Sequence, residues 1–401
     1  MKRKLETPLF ASGMFDMFRW VAATIVLACH ARSMFYGSYY DIESPTIIDM
    51  GLYSMTLFWH EAVMVFFVLS GYFIGTSVLK SISEDRFSWK HYLINRCSRL
   101  YIVLVPALVL TAILDHTGMT IFGVTSAYEE AAAHTSVMGW FASLFMAQPI
   151  YFPQFGSNGA LWSLSFEFWY YLLFPAVCLV LNKKSTSKSR ALLSIFIIAL
   201  LLFMQFRMVA YFLVWLTGVV VAVAPIPALW KGGRFAYLFV GAVTLMGIIG
   251  IRALTHTRFV GIEDHWPKQL CADLLVALFF GLFCYMTKYY SLNRKEMKFP
   301  LSQLHKELAD FSYTNYLIHL PILVFISACA VVKGGELLGK NRADIFLFVG
   351  LLIFVVFCAY VFSLFTERKT KILRNWLTRK LGLSFDRRKI ADAKKDPCGS
   401  V

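Results

Sequence analysis

The chain has 401 residues, 58% of them apolar and 16% charged, with a mean hydropathy of +0.61. Soluble domains are about half apolar and about a quarter charged, so an ordinary soluble enzyme is excluded and the bilayer is the solvent for most of the chain. The net charge of +15 does not point to nucleic acid, because Lys and Arg stand between apolar segments and in the tail, the pattern of cytoplasmic loops.

At the N-terminus, Lys2-Arg3-Lys4 followed by the apolar run Val21–Cys29 has the outline of a signal peptide. Asp16 and Arg19 interrupt the approach to that run, so the segment reads as a retained first helix. Ten spans are predicted, at 14–35, 55–79, 97–115, 159–181, 191–206, 208–224, 235–253, 269–287, 311–332 and 344–366. The fifth and sixth are short and adjacent, which makes a single shared hairpin the competing reading. Segment 138–152 is apolar but short and ends in Pro149 and Pro153, so it is either re-entrant or interfacial. The loops 36–54 and 116–158 contain no Lys or Arg, whereas the alternate loops are rich in both. The expected fold is therefore an all-α polytopic integral membrane protein of about ten transmembrane helices, with N and C termini cytoplasmic. Residues 1–370 form the membrane domain. Residues 371–401 form a basic tail in which Ile372, Trp376, Leu377 and Leu381 are spaced for an amphipathic helix on the anionic inner leaflet.

Eight cysteines lie mostly inside apolar stretches without CxxC or metal spacing, as buried free thiols do. His60-Glu61 invites a zinc reading, but Met64 stands where HExxH needs its second histidine. No metal is expected.

An ionisable side chain inside a span costs about 2.5–3.5 kcal/mol on insertion scales and asks for a reason. The first span has Asp16, Arg19 and His30. Eleven helical residues leave Arg19 and His30 about 20° from alignment and about 16 Å apart along the axis. Asp16 sits one turn before Arg19 and can hold its guanidinium. A lone membrane histidine is more often a contact between helices; an aligned arginine and histidine favour function. Adjacent Cys29 and His30 point about 100° apart and do not make a catalytic pair. Ser70-Gly71 reads as close helix packing. Arg96 and Arg99 share one helical face at the inner edge of the third span. Paired guanidiniums grip phosphate well, although inside anchoring alone also accounts for them. In the fourth span Ser163 and Glu167 stand four apart, as do Asn315 and His319 in the ninth. Asp273 in the eighth span is a weaker candidate.

Taken in order, these motifs resemble the acyltransferase-3 family of integral membrane O-acyltransferases. The carrying residues are Asp16-x-x-Arg19-x10-His30, Phe66–Tyr72, Arg96-x-x-Arg99-Leu100-Tyr101, Leu161–Glu167 and Tyr316-Leu317-Ile318-His319-Leu320-Pro321. They span about residues 14–367, nearly the whole membrane domain, and suggest the single-domain branch. Met17 and Trp20 stand where the family usually has glycines, and Ile102 where it has proline.

The resemblance implies acetyl-CoA or another acyl-CoA as co-substrate, with no permanently bound cofactor. It implies His30 as catalytic base and Arg19, Arg96 and Arg99 as donor-side or structural arginines. Glu167 and His319 fall on motif positions; Glu167 is expected to orient a histidine or the acceptor. Ser163, Asn315 or backbone N–H groups are the candidate donors to an oxyanion. The expected partners are acyl-CoA, a hydroxyl-bearing glycan or lipid-linked sugar, and membrane lipids, with no nucleic acid. The expected location is the bacterial inner membrane. A transporter or flippase without acyl chemistry is the rival, since many carriers also have ten spans with buried charges.

Overall fold

The computed structural model describes residues 5, 7–36, 39, 42, 45–225, 233–259, 266–292, 294, 297–332 and 343–382. Among them are fifteen α-helices and no β-strand. The long ones are α1 (Leu9–Phe35), α3 (Trp59–Ser83), α4 (Trp89–Phe122), α7 (Trp162–Leu181), α8 (Ser187–Phe203), α9 (Phe206–Val223), α10 (Arg234–Phe259), α11 (Trp266–Leu292), α13 (Ser312–Val332) and α14 (Ala343–Phe365). Short helices fill in between: α2 (Ile47–Thr56), α5 (Glu129–Ala133), α6 (Val137–Leu144), α12 (Ser302–Ala309) and α15 (Thr370–Lys380). Among the described residues, nine helices are long and apolar enough to cross a membrane. The remaining expected span, the fifth, is α8, which has 17 residues, about 25 Å, at the lower limit of spanning length. The fifth and sixth spans are not one hairpin. Helix α8 packs on α7, whereas α9 packs on α3 and α11.

Contacts set the helix directions. Phe15 meets Tyr72 at 5.1 Å between ring centroids and His30 meets Trp59 at 6.2 Å, so α1 and α3 run antiparallel. Arg19 bonds the carbonyl of Ala309 and His30 bonds His319, so α13 runs with α1. The α3–α9 crossing is the tightest in the bundle. A Cβ on Gly71 would stand 1.9 Å from the Trp215 carbonyl oxygen, and one on Gly218 would stand 1.9 Å from that of Val68. Glycine is needed at both because the two backbones touch. Helices α3 and α13 are the most buried of the spanning set, while α10 and α14 present most of their surface outward.

The third span is longer than its apolar stretch suggested. Helix α4 has 34 residues and continues through Pro106, about 51 Å in all, so it carries Arg96 and Arg99 and Asp115 on one rod. Segment 138–152 contains α6, after which the chain becomes irregular and folds back into the protein. Met146 and Gln148 are fully buried there. Irregular backbone at membrane depth is tolerable only where protein satisfies it, and it is satisfied here. The Met146 carbonyl accepts from Ser165 Oγ at 2.5 Å and Trp169 Nε1 at 2.8 Å. Asp115 accepts from the backbone N–H of Ser157 at 2.8 Å and from its hydroxyl at 2.6 Å. Asn158 Nδ2 donates to Thr111 Oγ1 and to the Leu317 carbonyl at 2.9 Å, tying the segment to α4 and α13.

Polar pairs mark the two ends of the bundle. Lys184 pairs with Asp85, joining the α3–α4 and α7–α8 loops at the end where the basic residues gather. Glu61 pairs with Arg252 at 3.7 Å at the opposite end. Beyond α14, helix α15 packs against α4 and leaves Ile372, Trp376 and the following Leu381 exposed, with Leu377 half-buried. The rest of the expected tail, from 383, lies outside the described residues.

Candidate active site

Helices α1, α3, α4, α7 and α13 enclose a cavity of about 340 Å³ at the end where the basic loops gather. That is at the small end of ligand sites. Asp16 and Arg19 line it from α1, Arg96 and Arg99 from α4, Ser163 and Glu167 from α7. Phe66, Phe67 and Ser70 come from the α3 run, and Ser312, Tyr313 and Tyr316 from α13. Six of the nine candidate residues from the sequence therefore meet in one cavity. Asn315, His30 and His319 stand outside its lining.

The three arginines differ in freedom. Arg19 is fastened on both sides, Nη1 to Asp16 at 3.3 Å and Nη2 to the carbonyl of Ala309, the last residue of α12, at 3.2 Å. It fixes α12 against α1 and adds positive potential. Arg96 donates to Ser77 Oγ at 3.4 Å and lies over the Tyr92 ring, while its buried Nε has no partner. Arg99 is exposed and makes no hydrogen bond to a described residue, so its whole donor fork is available. Arg96 and Arg99 have the geometry to receive an anion; Arg19 has the geometry to shape the site.

Ser163 and Glu167 lie on one face but do not bond each other. Tyr171 donates to Glu167, and Ser163 Oγ is 2.7 Å from Tyr316 Oη. Glu167 thus belongs to the arginine level of the cavity and makes no hydrogen bond to either histidine. Asn315 contributes its main chain: its carbonyl faces His319 Nδ1 at 3.0 Å, and its buried Oδ1 has no partner.

The histidines form a pair whose tautomers follow from that carbonyl. A carbonyl only accepts, so His319 Nδ1 carries hydrogen, and in the neutral ring Nε2 is an acceptor. His319 Nε2 lies 2.9 Å from His30 Nδ1, which must donate. His30 Nε2 keeps its lone pair and makes no hydrogen bond to a described residue. The rings lie within 15° of parallel, His319 is fully buried and His30 partly exposed. The chain Asn315 C=O, His319, His30 therefore aims one basic nitrogen and fixes its ring, as a base with an orienting partner requires.

Several neighbours take parts that the sequence reading did not give them. Tyr316 and Tyr171 look like ordinary aromatic residues of spans, and only their partners mark them. Glu367 lies just past α14, is buried, and accepts from the backbone N–H of Thr314 at 3.0 Å and its hydroxyl at 2.8 Å. It caps the start of α13 and feels the charges of Arg99 and Arg19. A carboxylate followed by Arg368 and Lys369 reads in sequence as part of the basic tail. Trp20, one of the departures from the family pattern, donates from Nε1 to His305 Nδ1 at 3.0 Å, so the bulk that replaces glycine is used to seat α12. Asp273 is held by His60 at 2.8 Å, Tyr211 at 2.6 Å and Gln269 at 3.0 Å. It cross-links α3, α9 and α11, apart from the cavity.

An O-acetyl transferase of Shigella phage Sf6 is 30% identical over 168 residues, which is 40% of this chain and 44% of that protein. The chain thus matches less than half the length of that relative. No solved structure matches. The family model described as an acyltransferase domain matches residues 14–364, from just before Asp16 to the end of α14, and the chain belongs to that acyltransferase-3 family.

Proposed function

We propose that this protein is a membrane O-acyltransferase that moves an acyl group, acetyl by family expectation, from cytoplasmic acyl-CoA to a hydroxyl of a surface glycan or its lipid-linked precursor. The observation that carries the reading is the free Nε2 of His30, fixed by His319, just beyond the blind end of an arginine-bearing cavity. The CoA phosphates dock on Arg96 and Arg99 at the mouth. The pantetheine arm runs up the cavity, and the rise of about 16 Å from Arg19 to His30 along α1 brings the thioester to the histidines. A small cavity suits the arm alone, with the nucleotide left outside.

In the transfer, the acceptor oxygen attacks the thioester carbon while His30 Nε2 takes its proton. The imidazolium is supported by the His319 ring, whose own N–H stays on the Asn315 carbonyl. Collapse of the tetrahedral intermediate breaks the C–S bond, and the thiolate of CoA takes the proton back from His30. The partly exposed side of His30 is not part of the cavity lining, which leaves a separate approach for the acceptor. The cell membrane of a bacterium, with both chain ends inside, is the setting this reading requires.

The test uses inside-out vesicles containing the protein, acyl-labelled acetyl-CoA and native glycan precursors. Label that reaches glycan with the wild type and not with His30→Ala supports donor, chemistry and face together. Glycan that crosses the membrane unlabelled, with no CoA binding, would instead support a carrier.

A further inference from the structure

The cavity and the histidine pair lie side by side but are not continuous. Its inner end is formed by Ser163 and Tyr316, whose oxygens are 2.7 Å apart and whose side chains are both buried. Phe66 packs edge-on against the Tyr316 ring at 5.8 Å. His319 also packs on that ring, 5.9 Å between centroids, and stands one helical turn onward, about 4.5 Å of rise. A thioester coming up from the arginines meets this hydrogen bond before it meets His30. The Tyr316 hydroxyl is then a side-chain donor that lines the cavity one helical turn before His319.

We propose that the Ser163–Tyr316 hydrogen bond is a partition which the thioester opens, and that the freed Tyr316 hydroxyl becomes the donor to the thioester carbonyl oxygen. The proposal rests on the acyl-transfer reading above. When the acceptor oxygen adds to the carbonyl carbon, the C=O electron pair moves onto oxygen, and the Tyr316 O–H donates to that oxyanion without giving up its proton. His30 holds the proton from the acceptor throughout. When the carbonyl re-forms, the C–S bond breaks, the thiolate takes the proton from His30, and Tyr316 returns to Ser163. The closed bond keeps water in the cavity from the base while no donor is bound. Ser163, considered from sequence as an oxyanion donor, is on this account the latch.

The test is a cycle of three variants assayed for transfer from acetyl-CoA in vesicles, with melting temperature as the folding control. Tyr316→Phe should lower kcat about a hundredfold, the scale of one lost oxyanion donor, and leave the KM for acetyl-CoA within about twofold. Ser163→Ala, which keeps the tyrosine but removes its latch, should lower kcat by no more than about tenfold, well short of the Tyr316→Phe loss. The double variant removes both polar atoms together, leaves no unpaired group to hinder folding, and should match Tyr316→Phe alone. A double variant with wild-type kcat overturns the proposal. So does a Ser163→Ala loss as large as that of Tyr316→Phe, which marks the pair as packing. Failure of the wider reading has a different signature: the wild type itself then gives no His30-dependent transfer.

Discussion

His30 has one usable ring nitrogen because a main-chain carbonyl two steps away can only accept. On the proposed mechanism, that makes His319 a positioning residue with a measurable signature. His319→Phe keeps the ring volume and removes the acceptor, so kcat should fall about a hundredfold, within the range of positioned acid–base catalysis, at nearly constant KM for donor. Initial rates across donor concentration check it; an unchanged kcat would remove the pair from the mechanism. The opposite split is expected at the mouth. Arg99→Ala should raise KM severalfold and spare kcat, because its fork is unengaged within the protein. Both histidines were visible in the sequence, as ionisable groups in apolar spans. Their partnership was not, because a bond between residues 289 apart in the chain leaves no local spacing to read. Tyr316 was invisible as a chemical group for a related reason: tyrosine is common at helix contacts, and only the Ser163 oxygen opposite distinguishes it.

At the scale of elements, small residues and buried polar links hold the cavity walls in register. Gly218→Leu would drive carbon into the Val68 carbonyl across the α3–α9 contact, so the helices must part. A fall in melting temperature of the detergent-solubilised protein and poor folded yield should follow, and a variant as stable as wild type would contradict the close approach. Asp273→Ala leaves His60, Tyr211 and Gln269 without their shared acceptor and should cost about 1–3 kcal/mol with little change in donor KM. The helices themselves were legible from length and hydropathy, and the Ser70-Gly71 packing from composition. Two features were hidden. Helix α4 overruns its apolar stretch at both ends, since charged residues continue a helix as readily as apolar ones. The fold-back at 145–158 depends on acceptors and donors supplied by α4, α7 and α13, which no local pattern in that segment announces.

For the molecule as a whole, the Lys184–Asp85 and Glu61–Arg252 pairs mark opposite ends, and the positive-inside rule predicts the first in the cytoplasm. A cysteine at position 184 in a variant lacking the native thiols should react with an impermeant maleimide in inside-out vesicles and stay unlabelled in right-side-out ones. The reverse pattern would invert the topology and move the donor pocket to the other face. Helix α4 then acquires a meaning as a gauge. On the proposed reaction, one uninterrupted rod bears the guanidiniums of Arg96 and Arg99 that take the donor's anionic head and, twelve and sixteen residues after Arg99, Thr111 and Asp115, which pin the fold-back beside α13. On that reading, the reach from head to reacting carbon is calibrated by a count of peptide units. Adding a single residue between Arg99 and Thr111 would turn one end about 100° against the other, so calibration would fail abruptly, by angle, long before it failed by length.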